Sequence, residues 1–308
     1  MTLAAWLAEA SRQLTRAGRD ERESRQDLAA LARWQLGWTS AEWLARQRDE
    51  APRDFPEAIA PLVARRALGE PVAHLTGERE FYGRTFRVTP DVLIPRPETE
   101  LAVSEALACL DDRAAAAPAR PAVVVDVGTG SGCIAVTIAL ERPDARVIAT
   151  DVSAAAIAIA EDNARRLGVG DRLAFRHGAL LAGVDPPVDL IVSNPPYIAS
   201  ADRASLAVDV ASYEPAVALF AGDDGLSVVR QIVAAAAASL GAGGFLVMEI
   251  GFGQDDALRR LIASTPRLAL VRIQADLQQI PRVVVARATS SSRAPEAAAR
   301  PRPAADRN

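Results

Sequence analysis

The sequence predicts an α/β protein: an open sheet with helices between its strands, preceded by a small helical bundle that a β-hairpin joins to it. Three observations carry this. Apolar runs of strand length end at Val125, Thr150 and Val192, with helix-length segments between them. Each run is followed by an acid, a glycine turn or a proline-stiffened loop, and open α/β sheets bind ligands at that edge. Residues 3 to about 70 instead repeat apolar side chains with helical spacing.

The elements follow in chain order. A chain of 308 residues, 50% hydrophobic, is long enough for two domains and for a substantial core. In residues 1–77, Trp6, Leu7, Ala10 and Leu14 share a helical face. Leu28, Leu31, Ala32 and Leu36 repeat the pattern, as do Ile59, Leu62 and Val63, with Arg and Glu on the other faces. Residues 78–95 read as a connecting hairpin, with Thr89-Pro90-Asp91 as its turn. The main domain spans residues 96–288. It opens with a helix over residues 96–110 and an Ala/Pro-rich loop over 114–121. Its later elements are a helix over 225–240, a strand over 245–250 after Gly241-Ala242-Gly243-Gly244, and a strand over 282–286. Residues 289–308 are rich in Ser, Pro, Ala and Arg and are expected to be a disordered tail.

The chemistry concentrates at strand ends. Ser193-Asn194-Pro195-Pro196-Tyr197 follows the strand Val188 to Val192. Each proline biases the residue before it toward an extended conformation, so the loop is stiff and suits a flat, hydrogen-bond-donating group such as a planar NH2. Upstream, Asp126-Val127-Gly128-Thr129-Gly130-Ser131-Gly132 joins a strand to the helix that holds Ile134 to Leu140. Its glycines permit a sharp turn and close approach to a ligand. The spacing is not that of dinucleotide sites, and a carboxylate at Asp126 would repel a pyrophosphate. S-Adenosylmethionine, with a sulfonium, an ammonium and no phosphate, fits that charge. Asp151 ends the next strand, where an acid commonly accepts from ribose hydroxyls. Asp151 or Ser153 could also cap the helix Ala154 to Arg166.

At this point the chain resembles a known family. The glycine loop with Asn194-Pro195-Pro196-Tyr197 resembles amino-group methyltransferases that use S-adenosylmethionine, on a Rossmann-like domain. Glu70-Pro71-Val72-Ala73-His74-Leu75-Thr76-Gly77, Glu80-Phe81-Tyr82-Gly83 and Leu93-Ile94-Pro95-Arg96-Pro97-Glu98-Thr99-Glu100 narrow the match. These segments are similar to the protein-(glutamine-N5) methyltransferases of the HemK/PrmC type. Tyr213-Glu214-Pro215, Ala218-Leu219-Phe220-Ala221-Gly222 and Asp224-Gly225-Leu226 resemble its release-factor branch, and Arg96-Pro97-Glu98 disfavours, without excluding, the sister group that acts on a ribosomal-protein glutamine. The resemblance implies that Asp126, Gly128, Thr129, Gly130, Ser131, Gly132, Asp151, Leu180 and Asn194 bind S-adenosylmethionine. It implies that Asn194, Pro195, Pro196 and Tyr197 bind the substrate glutamine of a Gly-Gly-Gln motif in class I peptide chain release factors. Asn194, Pro195 and Tyr197 would be the catalytic residues. The Asn194 side-chain oxygen and the Pro195 carbonyl would accept from the amide N–H groups, and Tyr197 would pack on the amide plane. Arg96 and Glu98 are expected to pair or to shape the substrate entrance. The family usually carries an acid near the adenine where this chain has Ala179, so weaker cofactor binding is expected.

Composition limits the alternatives. Methylation of a nucleic-acid amino group shares the Asn194-Pro195-Pro196-Tyr197 chemistry and is a further alternative, which a net charge of −4, giving no global attraction for nucleic acid, disfavours. Cys109 and Cys133 lack metal spacing and suit a reducing cytoplasm, and His74 and His177 are isolated, so no metal site is expected. His74 is read as a local hydrogen bonder. No signal peptide or spanning apolar run is evident. A cytoplasmic monomer is expected, with the helical bundle facing a protein substrate.

Overall fold

The computed structural model describes residues 1–116 and 120–290. From residue 291 on, the expected tail lies outside them, as do residues 117–119 of the Ala/Pro-rich loop. The chain begins with helices α1 (Leu3–Arg16), α2 (Glu21–Leu36), α3 (Ser40–Arg46), α4 (Phe55–Ala67) and α5 (Val72–Thr76). Their starts are set by side chains that satisfy free backbone N–H groups: Thr2 caps α1, Asp20 caps α2, and Thr39 with Glu42 forms a capping box on α3. The apolar stripes converge on a core of Leu3, Leu14, Leu28, Leu31 and Ile59, and Trp6 meets Phe55 edge-on at 5.3 Å.

Strands β1 (Glu78–Phe81) and β2 (Arg84–Arg87) form an antiparallel hairpin. Its turn is Tyr82-Gly83, both at positive φ (52° and 69°), and not Thr89-Pro90-Asp91. Two left-handed residues match the twist of paired strands, which the sequence motif at 89–91 could not supply within the ladder. Thr89 and Asp91 instead bond each other in the segment leading away.

The remainder runs α6 (Thr99–Ala116), β3 (Val123–Val127), α7 (Cys133–Glu141), β4 (Arg146–Asp151), α8 (Ala154–Arg166), β5 (Leu173–His177) and β6 (Val188–Ser193). It continues with α9 (Val208–Tyr213), α10 (Ala216–Leu219), α11 (Ser227–Ser239), β7 (Leu240–Glu249), α12 (Asp255–Ser264), β8 (Leu268–Ala275) and β9 (Pro281–Ala288). The helix expected over 96–110 starts later and continues through 116, so residues 114–116 are helical and not loop. Pro95 and Pro97 delay its start, and Ala-rich sequence extends it. The strand expected over 245–250 begins earlier, at Leu240, so residues 241–244 lie within it, beside an irregularity in the β6–β7 register. Strand β8 and helices α9, α10 and α12 have no counterpart in the expectation from sequence.

The seven strands of the main sheet lie in the order β5-β4-β3-β6-β7-β9-β8. Neighbours from β5 to β7 are parallel, and β9 is antiparallel to both β7 and β8. Strand order therefore reverses between β3 and β6, which opens a crevice at their carboxyl ends. Strand β6 is buried along its whole length, as a central parallel strand should be. The helical and sheet parts meet where Ala73 of α5 packs with Val92, Ile94, Ala156 and Ile159. Arg66, 4% exposed, reaches from α4 to Asp27 at 2.6 Å and to Asp209 of α9 at 3.7 Å.

Candidate active site

A cavity of about 290 Å³ sits at that crevice. One wall is the glycine turn after β3. Gly128 and Gly130 have φ of 73° and 54°, and a Cβ on either would project into open space. Both positions thus present bare backbone that a ligand can approach. Gly128 N–H and Thr129 N–H each donate to the Thr150 carbonyl at 2.9 Å, which ties the turn to β4. Gly132 differs from these two. It does not line the cavity, and a Cβ there would lie 3.0 Å from Ala160 of α8, so its lack of a side chain permits α7 and α8 to pack.

Asp126 is placed behind this turn, not in the cavity wall. It is fully buried, and its Oδ2 accepts from Thr129 Oγ1 at 2.7 Å and from Ala135 N–H at 3.1 Å. The expected direct charge contact with a cofactor is corrected to a brace of the loop and of the start of α7. Its Oδ1 has no partner among the described residues, and burial pushes the carboxyl up to about 7. Asp151 does line the cavity. Its Oδ2 accepts from Gly130 N–H and its Oδ1 from Ser153 N–H, both at 2.9 Å, while Ser153 itself caps α8. Leu180, at φ 53°, and Ala179 complete this end, and Thr150 Oγ1 donates to the Leu180 carbonyl at 2.7 Å. Ala179 offers no polar side chain there.

The opposite wall is the loop after β6. Asn194, Pro195 and Pro196 line the cavity, together with Thr99 from the first turn of α6. Asn194 Nδ2 donates to Thr99 Oγ1 at 2.9 Å, and Thr99 Oγ1 donates to Glu249 Oε2 at 2.7 Å. Asn194 Oδ1 is buried and has no partner among the described residues. Tyr197 does not reach the large cavity. It lines an adjoining one of about 70 Å³, whose wall includes Asn194, Pro195 and Arg96, and its hydroxyl donates to Glu249 Oε1 at 3.3 Å. The loop's exit is buttressed by Gln254 Nε2 donating to the Tyr197 carbonyl at 3.0 Å, and Gly225 is required there because a Cβ would lie 2.4 Å from that carbonyl.

Other expectations change. Arg96 pairs with buried Glu214, which also accepts from Ile94 N–H, while Glu98 is exposed. Tyr213-Glu214-Pro215 thereby anchors the arginine in the cavity wall. His74 is not a hydrogen bonder among the described residues: both ring nitrogens are buried without partners, and desolvation lowers its pKa. Both cysteines are buried and unpaired, and burial raises their thiols to about 11 at Cys109 and about 12 at Cys133. Sequence reasoning misses Thr99 and Glu249 as site residues. Thr99 stands inside the Pro95–Glu100 segment that carries the family resemblance, whereas Glu249 has no local signal beyond being an acid at the end of an apolar strand.

S-Adenosylmethionine fits this wall. The glycine turn gives room, Asp151 offers carboxylate oxygens, and Ser131 Oγ and Asn194 Oδ1 are buried polar atoms without partners. The sequence has no lysine, and among the described residues the one arginine lining the cavity, Arg96, is engaged by Glu214. This donor set suits hydroxyl, ammonium and sulfonium groups over phosphate.

Fold and site together define a Rossmann-like methyltransferase that uses S-adenosylmethionine. Residues 107–212 match the methyltransferase small domain, and residues 5–77 match the PrmC N-terminal domain. A release factor glutamine methyltransferase from Cereibacter sphaeroides is 46% identical over 78% of this chain and 82% of that protein. One from Burkholderia pseudomallei is 44% identical over 83% of this chain and 89% of that protein. The chain belongs to the release factor glutamine methyltransferase family. The fold is shared further: the hMettl16 catalytic domain, solved in complex with MAT2A 3'UTR hairpin 6, superposes with a TM-score of 0.53. That match covers 74% of this chain and 82% of that one at 16% identity. No helix among the described residues is long and apolar enough to cross a membrane.

Proposed function

We propose that this chain transfers a methyl group from S-adenosylmethionine to the side-chain amide nitrogen of the glutamine in the Gly-Gly-Gln motif of class I peptide chain release factors. Family membership supports the substrate, and one observation carries the chemistry: Asn194 Oδ1 is a buried acceptor without a partner, in the cavity wall, beside Pro195. When bound, S-adenosylmethionine supplies an electrophilic methyl on a sulfonium that leaves as a neutral thioether. An amide nitrogen is a poor nucleophile because its lone pair is delocalised into the carbonyl. Asn194 Oδ1 and the Pro195 carbonyl would accept from the two amide N–H groups and favour a nitrogen that becomes tetrahedral, and one of those protons leaves to solvent after the methyl is transferred. Pro195 and Pro196 hold those acceptors in fixed directions, so orientation does much of the work. The smaller cavity bounded by Tyr197 would receive the stem of the glutamine side chain. Asp151, Leu180, Ser131 and the Gly128–Gly130 backbone would hold the cofactor, with Asp126 bracing that backbone from behind.

The helical region over residues 1–77 would dock the release factor, the connecting hairpin over 78–95 would orient it, and residues 96–288 would carry the catalysis. The proposal includes a cytoplasmic monomer that needs no nucleic acid. The test is transfer of labelled methyl from S-adenosylmethionine to a purified class I release factor, with a Gln→Ala Gly-Gly-Gln variant, a ribosomal protein and DNA in parallel. Label on the release factor alone, lost in the variant, is the expected result. Label on the ribosomal protein or DNA would keep the chemistry and overturn the substrate. No label despite measurable cofactor binding would overturn the activity.

A further inference from the structure

Glu249 is 2% exposed and forms no ion pair among the described residues. The nearby Arg282 is engaged by Asp276 at 3.0 Å. The partners of Glu249 are two hydroxyls, Thr99 at Oε2 and Tyr197 at Oε1. A threonine hydroxyl has one proton. When Glu249 is ionised it can only accept, so Thr99 gives it its one proton and toward Asn194 can only accept. The amide of Asn194 must then present its NH2 to Thr99, as observed at 2.9 Å, and its oxygen to the cavity.

We infer that Glu249 is a positioning residue that acts through Thr99 to set which end of the Asn194 amide faces the substrate. The inference rests on the reading that Asn194 accepts from a substrate amide. The physical stake is polarity: an Asn amide turned over would offer N–H donors to a substrate NH2, and two donors repel. A buried carboxylate without a cation is an expensive way merely to fill space, because an apolar residue would need no compensation. Its value lies in being an obligate acceptor. Protonated Glu249 can donate to Thr99, which releases the Thr99 hydrogen toward Asn194 and removes the preference. Burial already pushes the Glu249 carboxyl up to about 7. The charged groups that act on it are Glu98 from the segment before α6 and Arg282 from β9. The buried Cys133 of α7 and Tyr197 also face it.

The test reads the Asn194 side-chain NH2 by nitrogen–proton NMR in the ligand-free protein, assigned by its loss in Asn194→Ser. In the native chain the signal is expected to be protected from solvent exchange and to move with pH around a midpoint near 7. Thr99→Val should abolish the protection, and Thr99→Ser should restore it. Glu249→Gln should remove the pH response, since its carbonyl can still face Thr99 at every pH. In methyl transfer, Thr99→Val should lower kcat by roughly 10- to 100-fold, the scale of a misplaced reacting group. The S-adenosylmethionine dissociation constant should stay within about twofold, while KM for the release factor should rise by less than kcat falls, because a turned-over Asn194 amide also weakens the ground-state contact with the substrate. Retained cofactor affinity shows that the variant is folded. An Asn194 signal indifferent to both pH and Thr99→Val would overturn the inference. So would a Thr99→Val enzyme with native kcat. If the NMR behaviour is as expected but no glutamine is methylated, the proposed reaction fails and the positioning role stands.

Discussion

Asp126 and Glu249 lie at the carboxyl ends of β3 and β7, the strands that flank β6, and burial raises both carboxyls to about 7. Elsewhere a buried acid is matched with arginine: Asp189, 7% exposed, meets Arg113 at 2.9 Å and Arg120 at 2.7 Å, and its pKa is lowered. The two site carboxylates are instead held by hydroxyls, and they differ in what they grip. Asp126 grips backbone, through Ala135 N–H and through Thr129 in the glycine turn. Glu249 grips side chains, Thr99 and Tyr197. The cofactor end is therefore shaped as a surface of main chain, while the substrate end is shaped by where hydrogens lie. A shape defect should weaken binding, whereas a hydrogen in the wrong place should slow the reaction.

The sharpest way to break that contrast is Asn194→Ala. Turnover should fall by roughly 10²–10³-fold, the effect of losing one preorganised partner. The cofactor dissociation constant should rise far less than turnover falls, since Asn194 is only one of several polar groups along the cofactor wall. A near-normal kcat would mean that the substrate amide is held by something else.

Asp126→Ala should do the reverse. Losing buried hydrogen bonds of about 1–3 kcal/mol loosens the turn, so cofactor affinity should drop by roughly 10- to 100-fold. Titration calorimetry decides it; unchanged affinity would remove Asp126 from the cofactor site altogether.

Stability against pH distinguishes the two acids from the paired one. Between 4.5 and about 7 the folded protein holds a proton on Glu249 that the unfolded chain has lost. Stability due to this group therefore falls as pH rises through that window, by about 3 kcal/mol in total. Glu249→Gln should remove that decline, so its denaturant midpoint should exceed the native one at pH 8 and approach it near pH 4.5. Asp189 acts oppositely: its lowered pKa contributes stability above the ordinary aspartate range that is lost as acid protonates it. A Glu249→Gln chain that is less stable than native at pH 8 would show that the charge is compensated.

The smallest effect expected is at Ala179. It lines the cavity with no polar atom, and Ala179→Asp should tighten S-adenosylmethionine roughly 2- to 10-fold by adding one acceptor. No gain would mean that the cofactor's purine is held by backbone alone.

Much of this is legible in the sequence because it is local. Asp126 through Gly132 and Asn194 through Tyr197 each combine a strand end with a turn within a few residues, so glycine freedom and proline stiffness declare the site. The roles of individual residues are less legible. The sequence suggests that Asp126 faces a cation, yet it faces Ala135 N–H, because a residue's alternation in a strand fixes its face but not what covers it. Tyr197, expected to pack on the amide plane, lines a smaller cavity beside Asn194 and Pro195, and its hydroxyl is held by Glu249, which no sequence pattern announces. Arg96 has Glu98 close by in sequence, yet the loop that brings Glu214 to it lies 118 residues further on.

By itself the sequence determined the class of fold, the order of the strand-end motifs and the kind of ligand they suit, since these follow from periodicity, turn chemistry and charge. Only the tertiary structure decided how the reactive amide is oriented. The bond from Asn194 to Thr99 spans 95 residues and that from Thr99 to Glu249 spans 150. No pattern of spacing along a chain encodes such a bond. It forms because packing β6 against β7 and α6 against the sheet leaves one threonine proton with a single acceptor.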